Sequence, residues 1–128
     1  MNTTTPNAQK PGLVTTLTIM TLINGILNIL YALGLTAAIV LGTLGIGLLC
    51  APVTILPAIL GIFEILYAVK LLSDPPQPVK PSQTIAVLEI VCIITGNALS
   101  LVVGILALVF YNDASVKDYF ARLNSGTL

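Results

Sequence analysis

Residues 13–63 read LVTTLTIMTLINGILNILYALGLTAAIVLGTLGIGLLCAPVTILPAILGIF, a run without a single charged side chain. A helix needs about 20 apolar residues to cross a bilayer, so this run and its continuation to Leu72 hold at least two spans. Glycine and proline are densest between Gly42 and Pro52, which predicts the break between two helices. We predict helices over 13–41 and 52–72, with Pro57 kinking or restarting the second.

The sequence after this run predicts a third helix. Asp74-Pro75-Pro76 ends the second helix, and the short polar hairpin that follows contains Ser82, a good N-cap for a helix over 83–111. The predicted fold class is therefore an all-α integral membrane protein with three transmembrane helices. Splitting the first run at Gly34 gives an alternative of four shorter spans.

The two ends of the chain differ in character. Residues 1–12 form a polar N-terminal tail ahead of the transmembrane bundle over 13–111. Residues 112–128 predict an amphipathic C-terminal helix and tail, because four apolar residues share one helical face: Val116, Tyr119, Phe120 and Leu123. Such a helix typically lies at the membrane surface.

Composition narrows the function classes. The chain is 56% hydrophobic and 8% charged with a mean hydropathy of +1.03, whereas a soluble domain carries about a quarter charged residues. It contains no histidine and no CxxC pair, so a histidine-ligated cofactor, a zinc centre and a histidine-activated nucleophile are not expected. We expect a non-enzymatic protein with no cofactor, metal or catalytic residue.

Charge and hydropathy also predict partners and location. The net charge is zero and there is no basic cluster, so nucleic acid is not an expected partner. The expected partners are the lipid bilayer and other membrane subunits or further copies of the chain. We expect a multi-pass protein of the cytoplasmic or plasma membrane. Three spans place Lys10, Lys70 and Lys80 on one side and Lys117 and Arg122 on the other, favouring a cytoplasmic N-terminus by one residue.

An internal repeat is the most specific pattern in the sequence. Residues 23–33, INGILNILYAL, match residues 59–69, ILGIFEILYAV, at seven of eleven positions, and residues 104–110, GILALVF, form a looser third copy. Small residues let helices approach closely, and polar residues between them hydrogen-bond across the interface. We predict that stripes of these residues face one another or identical neighbours: Asn24, Gly25, Asn28, Gly61, Glu64, Glu89, Gly96, Asn97, Ser100 and Gly104.

Glu64 and Glu89 are the main candidate functional residues. A carboxylate inside a bilayer costs a few kcal/mol, so such residues are functional candidates by default. Counted along their helices at 1.5 Å per residue, both lie roughly 9–12 Å below the hairpin between the second and third spans. Facing each other, they could share a proton or hold a cation. Alternatively, each protonated acid only hydrogen-bonds a neighbouring helix, or Lys70 attracts one of them.

Three functions follow from these patterns. The first is an accessory or structural subunit that acts by helix packing within a homo-oligomer or a larger membrane complex. The second is a small proton- or cation-conducting pore that uses Glu64 and Glu89. The third is a subunit that contacts a lipid, quinone or pigment.

The sequence also resembles the membrane-spanning four-domain (tetraspan) family over residues 13–111. The resemblance lies in Asn24-Gly25 followed by Ala32-Leu33-Gly34, in the proline-led second span with its polar hairpin, and in Ile94-Thr95-Gly96 with Leu99-Ser100. It implies a non-enzymatic, oligomer-forming membrane protein and transfers no site residues. The family has one span more than the three predicted here. The chain is similar, too, to small bacterial multi-pass membrane proteins.

Overall fold

The computed structural model describes residues 9–128, so residues 1–8 of the predicted N-terminal tail lie outside it. Of the described residues 81% are helical and none forms a strand, which confirms the all-α prediction. The elements are α1 (Gly12–Gly42), a 3₁₀ turn (Ile46–Cys50), α2 (Ala51–Thr54), α3 (Leu56–Leu72), α4 (Gln83–Val91), a second 3₁₀ turn (Cys92–Thr95), α5 (Ala98–Asn112) and α6 (Ala114–Ser125).

Among residues 9–128, two helical stretches are long and apolar enough to cross a membrane, and α5 with α6 would make a third if this bent pair is one span. One is α1, with 31 residues and a mean hydropathy of 2.0, and the other is Ile46–Leu72, with 27 residues and 2.3. Because α1 continues through Gly34, the alternative that split the first run there is wrong. The second stretch is interrupted at Ile55 and restarts at Leu56, which places Pro57 in the first turn of α3, where its missing N–H is harmless.

The predicted third helix over 83–111 is wrong, because the chain breaks at Gly96 and Asn97. Gly96 has φ +84°, a left-handed conformation that ends a helix. Asn97 then caps α5, its Oδ1 accepting a hydrogen bond from the Ser100 N–H at 3.1 Å. The Thr95 carbonyl freed by the break accepts a hydrogen bond from the Tyr31 hydroxyl of α1. Irregular backbone within an apolar layer needs partners of this kind.

Because of this break, α4 and α5 form an antiparallel hairpin rather than one long helix. Gly104 of α5 packs against Ala86 of α4, eighteen positions earlier in the chain. Either leg is about 20–22 Å long, which is shorter than the ~30 Å hydrocarbon core of a bilayer. By comparison, α1 is about 46 Å long and extends eleven residues, or ~16 Å, beyond Tyr31, which contacts the tip of the hairpin.

Four helix termini meet at one end of the bundle. The Lys10 ammonium at the start of α1 donates to the carbonyl of Leu71 at the end of α3 at 2.8 Å. Tyr111 near the end of α5 donates to the hydroxyl of Tyr67 on α3 at 3.2 Å. The Asn124 amide of α6 binds a main-chain carbonyl of the loop that leads into α4 at 2.9 Å. We call this the charged end.

The arrangement of basic residues therefore differs from the three-span prediction. All five lie at the charged end: Lys10, Lys70, Lys80, Lys117 and Arg122. The opposite end, formed by residues 41–54 and called the apolar end, has no charged residue, and Leu44 there is 96% exposed. The basic residues are not divided between two ends, because the α4–α5 hairpin returns the C-terminal segment to the end where α1 begins.

The C-terminal helix α6 folds across the charged end. It is bent by 77° from α5, and Asp113 caps it by accepting a hydrogen bond from the Ser115 N–H at 2.8 Å. Its apolar face, predicted from the sequence, is buried against the ends of the other helices: Val116, Tyr119, Phe120 and Leu123. Its exposed face carries an ion pair between Arg122 and Asp118.

Candidate functional site

Two close helix crossings position the site. Where α1 crosses α3, Gly25 lies directly against Gly61. A Cβ added at Gly25 would be 2.8 Å from the Gly61 carbonyl oxygen and 2.9 Å from the Glu64 Cβ. Glycine is therefore required for the backbones to approach this closely. The contact places Asn28 and Glu64, each three residues further along its helix, on the inner faces of the crossing.

The α4–α5 hairpin repeats this crossing. A Cβ added at Gly104 would be 2.5 Å from the Ala86 carbonyl oxygen and 2.9 Å from the Glu89 Cβ. Gly104 thus has the position of Gly25, while Ala86 and Glu89 have those of Gly61 and Glu64. Two helix pairs with the same local contact each deliver one glutamate to the centre of the bundle.

Six polar residues converge between the two pairs, and we call them the dicarboxyl cluster: Asn24, Asn28, Glu64, Glu89, Asn97 and Ser100. They come from α1, α3, α4 and the start of α5, and each is 8% exposed or less. The two glutamates are 0% and 1% exposed. In the described residues, no lysine or arginine forms an ion pair or a hydrogen bond with either carboxyl group.

Of the two carboxyl groups, that of Glu64 accepts the shorter and more numerous hydrogen bonds. Its Oε1 accepts a hydrogen bond from the Asn24 amide and its Oε2 accepts one from the Asn28 amide, both at 2.9 Å. Asn28 is itself held by Asn97, whose amide donates to the Asn28 Oδ1 at 2.6 Å. Asn97, the cap of α5, therefore orients Asn28, which is one of the two hydrogen-bond donors to Glu64.

Asn24 connects the two acids. Its amide, which is 2.9 Å from the Glu64 Oε1, also lies 3.4 Å from the Glu89 Oε1 and 3.2 Å from the Ser100 hydroxyl, so one amide nitrogen bridges the two carboxyl groups. The Asn24 Oδ1 and the Glu89 Oε2 are buried and have no hydrogen-bond partner in the described part of the chain. Glu89 thus differs from Glu64, because its Oε1 accepts only one long hydrogen bond and its Oε2 accepts none.

Further polar groups continue along the bundle axis on both sides of the cluster. Toward the charged end, Tyr67 and Tyr111 pair through their hydroxyls, one helical turn below the glutamates. Toward the apolar end, beyond the Tyr31–Thr95 contact, the hydroxyls of Thr36 and Thr54 are 2.8 Å apart. The interior of the bundle is therefore polar at intervals along most of its length.

The structure brings most of the predicted residues together and gives one a different role. The cluster residues share one site, and Gly25, Gly61 and Gly104 lie at the two crossings. Gly96 is not a packing residue within a helix, as predicted, but the left-handed turn at the hairpin tip.

Sequence reasoning missed Ala86 and Tyr111. The segment Ala86-Val-Leu-Glu89 matches Gly61-Ile-Phe-Glu64 in spacing, and this match was the signal that could have identified a fourth copy of the repeat. No sequence pattern pointed to Tyr111, because its hydrogen-bond partner Tyr67 is 44 residues away in the chain.

No family model, curated protein or solved structure matches this chain.

Proposed function

We propose that the chain is a non-enzymatic, multi-pass membrane protein that binds and releases a proton, or a small cation in its place, at the dicarboxyl cluster. The observation that carries this proposal is that two fully buried carboxyl groups share the Asn24 amide, while no lysine or arginine among residues 9–128 pairs with either. Two adjacent carboxylates cannot both be ionised in an apolar interior, because each charge loses its hydration and repels the other. The pair therefore retains a proton or takes up a cation.

The hydrogen bonds suggest how the pair divides the charge. Glu64, with amide donors on both oxygens, is arranged to carry the negative charge. Glu89, whose Oε2 accepts nothing, is arranged to carry the proton and to donate it within the pair. A cation would instead use the oxygens that have no donor, the Asn24 Oδ1 and the Glu89 Oε2, since hard cations take oxygen ligands.

Proton uptake can be tested on the purified protein and in proteoliposomes. We expect the infrared band of a protonated carboxylic acid, lost in Glu89→Gln, and a proton flux across proteoliposomes that is reduced at least tenfold by Glu64→Gln or Glu89→Gln. Asp118→Asn is the matched control, because it removes a surface carboxylate outside the cluster. Equal proton flux in the wild-type protein, both Gln variants and protein-free vesicles would contradict the proposal.

A second candidate function, the accessory subunit, is favoured by the outer surface of the bundle. The small and polar stripes, predicted to face one another or identical neighbours, pack against one another within one chain, so lateral partners would contact the large apolar side chains that remain outside. Examples on α1, α3 and α5 are Leu30, Leu33, Phe63, Leu66 and Val109, each more than half exposed. Extraction from the native membrane in mild detergent distinguishes the two functions: a stoichiometric complex with other subunits supports the accessory role, and a lone chain opposes it.

A further inference from the structure

The seam between α3 and α4 is open, although these helices are consecutive in the chain. The close contact of α3 is with α1 at Gly25 and Gly61, and that of α4 is with α5 at Ala86 and Gly104. A cleft of about 510 Å³ remains between α3 and α4 toward the charged end. A cavity of about 200 Å³ adjoins it toward the apolar end, and both are lined by Leu60, Phe63 and Leu88. We call the two together the α3–α4 cleft.

The walls and the mouth of this cleft differ in chemistry. Apart from Tyr67, Cys92 and Thr95, the deep walls consist of leucine, isoleucine, valine and phenylalanine side chains. The mouth is lined by Lys70, Ser82 and Thr84 at the charged end. Within residues 9–128, the Lys70 ammonium has no ion pair and no hydrogen bond to a side chain or carbonyl. The cleft thus has an apolar interior and a cationic, hydroxyl-bearing opening.

The dimensions correspond to one lipid leaflet. From Lys70 to Leu60 is ten residues of helix, or about 15 Å, which is half of the ~30 Å hydrocarbon core. The larger cleft alone falls within the range of roughly 300–1,000 Å³ that small-molecule sites occupy. An extended acyl chain that begins at the level of Lys70 would therefore lie along Phe63 and Leu88.

We propose that the α3–α4 cleft binds one anionic phospholipid from the leaflet at the charged end, with its phosphate at Lys70 and one acyl chain along the apolar walls. Charge complementarity selects this occupant, because the mouth carries a cation without a counter-ion and the walls carry no charge. The clustering of all five basic residues at the same end favours the anionic cytoplasmic leaflet for this part of the protein. The site lies outside the dicarboxyl cluster and does not depend on its proposed function.

Native mass spectrometry of the detergent-purified protein tests the headgroup. The protein is titrated with phosphatidylglycerol and, as the matched lipid, phosphatidylcholine with the same acyl chains. We expect one phosphatidylglycerol to be retained preferentially and Lys70→Gln to weaken its retention about five-fold, since one basic residue near an anionic surface contributes about 1 kcal/mol. Lys117→Gln, which removes a cation of the charged end that does not line the cleft, is the control and should leave retention unchanged.

A second pair of variants tests the walls. Leu88→Trp places a larger ring where the two cavities meet and should abolish retention, whereas Leu106→Trp on α5, outside the cleft, should not. Equal retention of the two lipids, or equal effects of Lys70→Gln and Lys117→Gln, would overturn the proposal. Retention that survives Leu88→Trp would place the lipid elsewhere and would also overturn it.

Discussion

The α1–α3 pair and the α4–α5 hairpin contain the same helix–helix contact but differ in how far their helices extend. In both, a glycine of one helix meets the carbonyl of a small residue on the other, and a glutamate follows three residues later. In the α1–α3 pair, α1 is continuous over 31 residues from the charged end to the apolar end, and α3 packs along it from Leu56 to Leu72. The α4–α5 hairpin turns at Gly96 and returns after a short distance.

This difference shows that a shared packing motif fixes local geometry but not the extent of a helix. The crossing sets the distance between the helices and the depth of the glutamate. The length depends on capping residues, which occur in the middle of the last apolar run at Gly96 and Asn97 and not in the middle of α1. One motif can therefore be part of a long helix pair in one half of the molecule and of a short, returning hairpin in the other.

The largest expected effect concerns membrane topology. If the hairpin returns, the loop after α3 and the C-terminus lie on one side of the membrane and Cys50 on the other. Single-cysteine variants at Gln77 and Thr127, in a background with Cys50 and Cys92 replaced, should react with a membrane-impermeant maleimide from the same side. The protein that retains only Cys50 should react from the opposite side. If Gln77→Cys and Thr127→Cys were labelled from opposite sides, residues 83–111 would form one continuous helix and the hairpin would be wrong.

Gly61→Leu should have the next largest effect. Its side chain would collide with the Gly25 carbonyl oxygen and with the Asn28 Cβ, 3.2 Å from the position of the new Cβ. Because a backbone oxygen cannot rotate away, we expect a loss of about 3 kcal/mol or more in the free energy of unfolding, measured by denaturant titration in detergent micelles. Gly34→Leu is the control on the same helix pair, since nothing lies within 4 Å of that site. Equal stability of both variants would refute the close crossing.

Gly96→Ala tests the feature that separates the two pairs. An alanine at φ +84° is strained by roughly 1–2 kcal/mol, and we expect a loss of stability of that size in the same titration. Gly34→Ala, within a regular helix, should instead be neutral or slightly stabilising. If Gly96→Ala were stabilising, α4 and α5 would form one helix, and the labelling of Thr127→Cys would change sides with it.

The smallest effect concerns how α6 closes the charged end. Hydrogen bonds from Ser115 hold the pKa of Asp113 below its usual value. A lowered pKa in the folded state means that this cap stabilises α6 above the ordinary Asp pKa of about 3.9 and is lost as the pH falls through the folded value. Hydrogen exchange of the first-turn amides of α6 should therefore become faster, relative to intrinsic rates, between pH 5 and about pH 3. Asp113→Asn keeps a capping oxygen without titrating and should remove this pH dependence.

The sequence alone determined the helical class, the apolar character of the long helices, the buried face of α6 and the residues of the dicarboxyl cluster. These features depend on hydrophobicity, helical period and spacing, which are local properties of the chain. For Glu64 and Glu89, the number of residues that separates each from the polar loop 73–81 was enough to predict a similar depth, because helical rise is constant.

Only the tertiary structure decided where the last apolar run turns and which helices pair. A largely apolar run of 29 residues such as 83–111 can be one helix or a hairpin, and the outcome depends on whether distant groups satisfy the backbone opened at the turn. Tyr31 supplies a donor for the Thr95 carbonyl, and Asn28 holds the cap Asn97 from another helix. These partners lie 64 and 69 residues away in the chain. Local pattern carries no information about contacts at that separation, so the spacing that Ala86 and Glu89 share with Gly61 and Glu64 did not determine which helices pair.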